Sequence, residues 1–332
     1  MKTPQPPPPV VPRYLQEKEL SQEDIDFIFS LPTEKGWVAD GLHKYHGFWL
    51  STKQMHGVLT CQKHFQAVDS DIVLVTTPKS GTTWLKALLF ALVKRAHYLD
   101  PQRHPLLTEN PHVLVPCLEF DVYTDKQVLP DLSSLPRPRL ISTHLPYVCL
   151  PDSVKHSGCK VVYACREPKD VFVSLWHFSN KLRPVGSGTM SLDEAFDKFC
   201  RGVSNSGPFW DHVLGFWKES LKRPESAFFI KYEEMKQEPT LHLRRLAEFL
   251  GCPFSPEEET HGVVDGILRL CSFDNLSNLV VNKSGKLPAG IENRAFFRKG
   301  EVGDWMNSLT PEMVKKLDSI TQEKLHGSGL KF

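Results

Sequence analysis

From residue 71 onward, short β-branched runs alternate with segments of helical period. The runs at 71–76, 139–143, 160–165 and 226–231 predict strands. Helices are predicted at 82–96, 169–180, 191–201, 208–221 and 239–250. In the last of these, Leu243, Leu246, Ala247 and Leu250 recur at i, i+3, i+4 and i+7, with Gly251 as its stop. Ser191 and Glu194 form a predicted capping box. Strands that are apolar along their whole length are covered on both faces, and intervening helices make them parallel. The expected fold class is therefore α/β, a single domain whose central, mostly parallel sheet is flanked by helices on both faces.

The ends and connections carry weaker patterns. Residues 1–12 hold six prolines and read as an extended, solvated tail. A docking motif for a proline-reading partner is the alternative. Residues 1–20 are assigned to this flexible tail and 21–332 to the folded domain, with no internal repeat or later linker. Ser21 and Asp24 begin a short helix expected to carry Ile25, Ile28 and Phe29 on one face. An aromatic stretch, residues 37–49, follows it. The Gly- and Pro-containing segments 180–190 and 281–291 read as loops that either close over a ligand or are ordinary surface.

Composition narrows the function. Forty basic and thirty-nine acidic residues give a net charge of +1, which excludes a generic nucleic-acid or membrane-surface binder driven by bulk charge. The longest apolar run, 87–93, is far short of the ~20 residues a membrane span needs. No secretory signal opens the chain. Eight cysteines include no C-x-x-C pair, and Cys117, Cys159, Cys165 and Cys200 lie in strand- or helix-like runs. Reduced, buried thiols and a cytoplasmic location are expected. His43 and His46 have ligand-like spacing, but nothing nearby completes a tetrahedron, so no metal is expected.

The segment 71–84 reads as a strand, a tight turn and a helix start. Lys79, Ser80, Thr82 and Thr83 surround Gly81 with one cation and three hydroxyls. Free backbone N–H groups and the positive end of a helix make this P-loop-like turn an anion cradle. It is not a Walker A loop, because Thr76 stands at the first glycine position and the lysine precedes Gly81. A second anion site lies where the strand 160–165 ends. There Arg166 offers a planar fork and Ser174 a hydroxyl, unless Arg166 is tied to Glu167 or Asp170. A third basic cluster at 297–305 is, alone, a solvated charge patch. Together the three point to a nucleotide phosphorylated at both ends of its ribose.

PKSGTTW at 78–84, REPKDVFVSLWHF at 166–178 and RKGEVGDW at 298–305 resemble, in this order, the cytosolic sulfotransferases over roughly residues 35–326. The proline-rich start and STHLPY at 142–147 look closer to plant members acting on flavonols, hydroxyjasmonates or brassinosteroids. The resemblance implies that 3′-phosphoadenosine 5′-phosphosulfate (PAPS) is the donor and that no metal is needed. It also implies a small hydroxylated acceptor, with 3′,5′-adenosine bisphosphate as product. Lys79, Ser80, Gly81, Thr82, Thr83 and Trp84 then hold the 5′ end, with Trp84 near the adenine. Arg166, Ser174, Arg298, Lys299 and Gly300 take the 3′-phosphate; Tyr232, Ser272 and Phe273 contact the nucleotide. Cys271 stands where relatives often carry threonine.

His144 matches the catalytic base, and it also follows a predicted strand, at the sheet edge where ligands collect. Lys79 is expected to stabilise the leaving group, with Ser174 engaging that lysine before the acceptor binds. Ser142 replaces a lysine found in animal relatives, so one cation is absent or comes from elsewhere. Met306, Pro311 and Lys315 break the family's dimer motif, and Thr310 with Pro311 reads as a helix start, so a monomer is expected, or a dimer built another way. The acceptor pocket is expected to draw on residues 37–49, Tyr147 and the two loops, to suit a flat phenol, steroid or oxylipin alcohol. The competing readings are an ATP-dependent small-molecule kinase and a non-catalytic nucleotide-binding protein on the same scaffold.

Overall fold

Alternation along the strands sorts the core into two layers. The computed structural model describes residues 21–38, 41–123 and 131–332, so the proline-rich tail lies outside the described residues. A small antiparallel sheet comes first: β1 (Thr33–Lys35), β2 (Gly41–Tyr45) and β3 (Phe48–Ser51). Among the described residues the main sheet has four strands, β4 (Ile72–Thr76), β5 (Leu140–Thr143), β6 (Lys160–Cys165) and β7 (Ala227–Lys231). Its order is β5-β4-β6-β7 with every pairing parallel. Ile72, Leu74, Leu140, Val162, Ala164 and Ile230 enter one core; Val73, Val75, Ile141, Val161 and Tyr163 enter the other. Both faces are thus buried, as continuous apolar strands require.

Helices Thr82–Lys94, Pro239–Phe249 and Val263–Leu270 cover the first face. Thr52–His64, Pro168–Leu182, Phe209–Lys222 and Pro311–Leu325 cover the second. Leu243, Leu246 and Ala247 are fully buried, as their spacing predicts, and Gly251 ends that helix at φ +71°. Thr310 caps the final helix, its hydroxyl accepting from Met313 N at 3.3 Å, with Pro311 next. All eight cysteines are free.

Three local expectations change. In the helix Gln22–Ser30, Ile28 is buried but Phe29 is 61% exposed, because successive residues on a helix diverge by about 100° and only one can face the core. The Ser191 hydroxyl accepts from Glu194 N, but the full reciprocal capping box forms at Ser255 and Glu258. The first four residues of the 281–291 segment belong to the short helix Val280–Ser284, anchored by Asn282, whose side chain pairs with Asn110 at 2.8 Å.

At the amino edge of the sheet, the Arg139 guanidinium grips both carboxylate oxygens of Asp71, joining the starts of β4 and β5. Asp71 is fully buried and also accepts from Val68 N. Removing one partner of such a pair strands the other charge in the interior. Arg139→Met should therefore lower unfolding free energy by about 3–5 kcal/mol, read as a shifted urea midpoint with an unchanged slope.

Candidate active site

The strand order reverses between β4 and β6, and in such sheets ligands collect outside the carboxyl ends at that point. Each of the four strands delivers a site residue just past or near its last position. β4 leads into the 77–81 turn, β5 to His144, β6 to Arg166 and β7 to Tyr232. These meet in one cavity of about 290 Å³.

The turn after β4 is shaped by two left-handed residues, Lys79 at φ +73° and Gly81 at φ +94°. Gly81 is needed twice over, since a Cβ there would also lie 2.6 Å from the Tyr232 ring. No side chain on Gly81 caps the helix Thr82–Lys94, which leaves its first N–H groups for a ligand. Lys79, Gly81, Thr82, Thr83 and Trp84 line the cavity. Ser80 does not: it is fully buried with its hydroxyl 2.5 Å from Thr77 Oγ1.

Opposite this turn, Arg166 and Ser174 line the cavity together with Arg298, Lys299 and Gly300. Arg166 does meet Asp170, at 3.3 Å, but in the interior and not on the surface. Asp170 also accepts from Gly303 N and Trp305 N, at 2.8 and 3.0 Å, and Arg166 donates to Glu301 O at 2.5 Å. The C-terminal basic segment is thereby clasped onto the β6 end instead of being a solvated patch. Arg298 and Lys299 both reach Asp304. Burial works to raise the Asp304 pKa, but hydrogen bonds from Lys299, Arg298 and Asn307 outweigh it and hold the carboxyl below its usual range. The Nε atoms of Arg166 and Arg298 are buried without partners, the condition of donors built for an anion.

Aromatic groups frame the third side. Trp84 meets Tyr232 edge-on at 5.4 Å, and Arg166 lies over the Tyr232 ring at 4.6 Å. Tyr232 donates its hydroxyl to Gly300 O at 3.0 Å. Ser272 and Phe273 line the cavity too, although the Ser272 hydroxyl already caps a helix by accepting from Asn275 N. Cys271 is buried, its thiol pushed up by burial.

His144 is held through three polar groups. Its N–H donates to Glu119 at 2.7 Å, its carbonyl lies 3.1 Å from His212 Nε2, and its Nδ1 lies 2.8 Å from Thr76 O. A carbonyl can only accept, so Nδ1 carries the proton and Nε2 keeps its lone pair. Loss of solvent is the main reason that the His144 pKa falls to about 4; the Thr76 contact opposes this, and Lys86 and Lys79 add to it. Lys79 is lowered to about 7, first by burial and then by Arg298, Arg166 and Lys181.

Several residues here were given no such role by the motifs. Lys79 Nζ sits 4.0 Å above the Phe178 ring, and this contact takes the place of the expected pairing with Ser174. Ser142 turns its hydroxyl to Pro116 O, while the buried Lys86 comes near His144 from the helix behind the turn. The wall beside His144 is built by Phe178, His112 and Phe296, with Phe120 edge-on at 6.3 Å. Trp37 and Tyr147 do not line this cavity. Trp37 packs on Phe172 and donates to Val203 O, and Tyr147 packs on Phe216. The 180–190 loop is closed on itself by Asn180 and Arg183. Packing absorbs these aromatics because the helices on that face need them as core.

A sulfotransferase domain model matches residues 69–329. The chain is 49% identical over 324 residues to cytosolic sulfotransferase 12 of Arabidopsis thaliana, covering 97% of this chain and 98% of that protein. A solved putative steroid sulphotransferase from Arabidopsis thaliana is 42% identical with a TM-score of 0.75, covering 95% and 99% of the two chains. A mouse sulfotransferase complexed with PAP is 31% identical with a TM-score of 0.67, covering 86% and 95%. The chain belongs to the sulfotransferase family. It is a PAPS-dependent enzyme of the plant cytosolic type, moving a sulfuryl group to a small acceptor, and the kinase and non-catalytic readings give way.

Gly81→Ala places a Cβ against the Tyr232 ring at a φ that alanine adopts only under strain. It should weaken 3′,5′-adenosine bisphosphate binding by about tenfold or more, from a strain of ~1–3 kcal/mol, as measured by calorimetric titration.

Proposed function

We propose that residues 21–332 form a sulfotransferase domain in which His144 is the general base and Lys79 the cation at the breaking bond. The carrying observation is that His144, whose Nδ1 proton goes to Thr76 O so that Nε2 keeps its lone pair, lines the same cavity as Lys79, Arg166 and Arg298. The cation set fits a nucleotide bearing anions at both ends of its ribose. Lys79, Thr82 and Thr83, with the N–H groups of the helix start, take the 5′ end; Ser80 supports the turn from below. Arg166, Ser174, Arg298, Lys299 and Gly300 take the 3′-phosphate. Trp84, Tyr232, Ser272 and Phe273 frame the base.

When bound, PAPS supplies an electrophilic sulfuryl group with a bisphosphate leaving group. His144 Nε2 accepts the proton of the acceptor hydroxyl as its oxygen attacks, a contribution of roughly 10²–10⁴ in rate. Glu119 and His212 fix the His144 backbone, and Thr76 fixes its tautomer. Lys79 meets the charge that builds on the bridging oxygen. Neither role calls for a metal. The aromatic wall of Phe120, Phe178 and Phe296 favours a flat acceptor: a phenol, a steroid or an oxylipin alcohol. The steroid option is in keeping with the putative steroid sulphotransferase that the chain resembles. We place the protein in the cytosol, as its relatives' names do, and read it as a monomer, since Pro311 and Lys315 replace the dimer motif. No helix among the described residues is long and apolar enough to cross a membrane.

Calorimetry tests the donor assignment. Strong preference for 3′,5′-adenosine bisphosphate over 5′-AMP is expected, and equal or absent binding overturns it. Arg166→Ala should cost the bisphosphate about 1.5–3 kcal/mol while 5′-AMP is little affected. His144→Ala should lower turnover across a panel of phenols, steroids and oxylipin alcohols by about 10²–10⁴ while leaving bisphosphate affinity near wild type.

Lys79 adds a pH signature. Free, it titrates near 7 because burial and three cations oppose its charge; an anion beside it raises that pKa. Binding near pH 8 should therefore take up a proton, and affinity should fall as pH rises through 7. The measured enthalpy should change with buffer ionisation enthalpy, and Lys79→Met should abolish that dependence.

A further inference from the structure

One buried cation next to the transfer site belongs to none of the motifs. Lys86 is 1% exposed, and lysine is almost never so buried without a partner. It follows Thr83 by three positions in the helix Thr82–Lys94, so the two lie on one helix face. Between them stands His112. Its Nδ1 is 3.1 Å from Lys86 Nζ, and its Nε2 is 2.9 Å from Thr83 Oγ1. The ring is held from behind as well. Asn110 caps the short helix Pro111–Leu114 by accepting from His112 N, and its amide donates to Asn282 Oδ1 at 2.8 Å. Phe296 packs on the imidazole with centroids 4.2 Å apart.

With Lys86 as an ammonium, the three groups have one consistent direction. An ammonium can only donate, so His112 Nδ1 accepts. The imidazole proton then sits on Nε2 and is donated to Thr83 Oγ1. The Thr83 hydroxyl proton is thereby turned away from His112, and Thr83, His112, Lys79 and His144 all line the same cavity. We infer that Lys86, acting through His112, aims the Thr83 hydroxyl at the phosphosulfate of the donor, giving the transferring group a fixed neutral hydrogen-bond donor beside Lys79. Thr83 touches the donor; Lys86 and His112 are positioning residues. The string also separates two cations: Lys79 faces the donor directly, and Lys86 acts on it only through an oriented hydroxyl. A preset dipole of this kind costs no reorganisation when charge develops. The inference rests on the assignment of the cavity to PAPS.

The test is a double-mutant cycle on single-turnover consumption of PAPS, by water alone and with an acceptor found in the panel. Thr83→Val should slow the reaction by about 100-fold, the usual loss for one preorganised donor, and Lys86→Met by about tenfold. In the Thr83→Val background, Lys86→Met should add almost nothing to consumption by water alone, because there its effect passes through the lost hydroxyl. His112→Gln, whose amide can accept from Lys86 and donate to Thr83, should retain most of the rate that His112→Leu loses. If Lys86→Met slows consumption by water in the Thr83→Val enzyme by its full factor, or if Gln and Leu at position 112 are equally slow, the relay is overturned. Should Lys86→Met fail to fold, the two position-112 variants decide the matter. Failure of the wild-type enzyme to bind 3′,5′-adenosine bisphosphate would instead overturn the donor assignment, and this inference with it.

Discussion

A parallel strand buried on both faces can offer polar side chains to a ligand only at or beyond its carboxyl end. That constraint governs the whole site. β4, β6 and β7 are apolar along nearly all their length and β5 along its first half, and the chemistry begins where each stops: the 77–81 turn, His144, Arg166 and Tyr232. Parallel pairing aligns those ends, with Val75 opposite Thr143, Thr76 opposite Ala164 and Cys165 opposite Lys231. The sheet therefore sets the spacing among groups that lie far apart in the chain.

Gathering cations at one edge has an electrostatic cost, and the fold meets it unevenly. Asp170 and Asp304 hold Arg166, Arg298 and Lys299 in place from below. Lys79 rests on the face of the Phe178 ring, and its pKa is drawn down to about 7. An anionic donor relieves this repulsion, so affinity for the nucleotide and the charge state of Lys79 are one coupled property. His144 is treated in the opposite manner: its surroundings keep it neutral and keep its free nitrogen directed at the cavity. One cavity thus brings together Lys79 and His144 in opposite electrostatic settings.

Much of the fold was legible because its signals are local. The four strand runs and the five predicted helices fall within a few residues of their predicted positions, since periods of two and 3.6 are written in neighbouring residues; the helix Thr52–His64 was not predicted. The anion sites were legible for the same reason: Gly81 between a lysine and hydroxyls, and Arg166 at a strand end, are short-range patterns. The wall beside His144 was not. Trp37 and Tyr147 carry the same aromatic signature as Phe178 and Phe296, and nothing in composition tells a core aromatic from a lining one. Ser80 likewise shares its motif with Thr82 and Thr83 but is turned beneath the loop.

The amino-acid sequence by itself determined the α/β class, through the alternation of short strand and helix patterns, and the anion-binding turn and the candidate base, because each of these two lies within a dozen consecutive residues. Tertiary structure alone decided how those groups are tuned. The tautomer of His144 depends on Thr76, 68 positions away. The orientation of Thr83 depends on His112, 29 positions away, and on a lysine that helical period alone would place against the core. Protonation state and hydrogen-bond direction are set by what packs within about 3 Å, and only the folded chain brings those partners together.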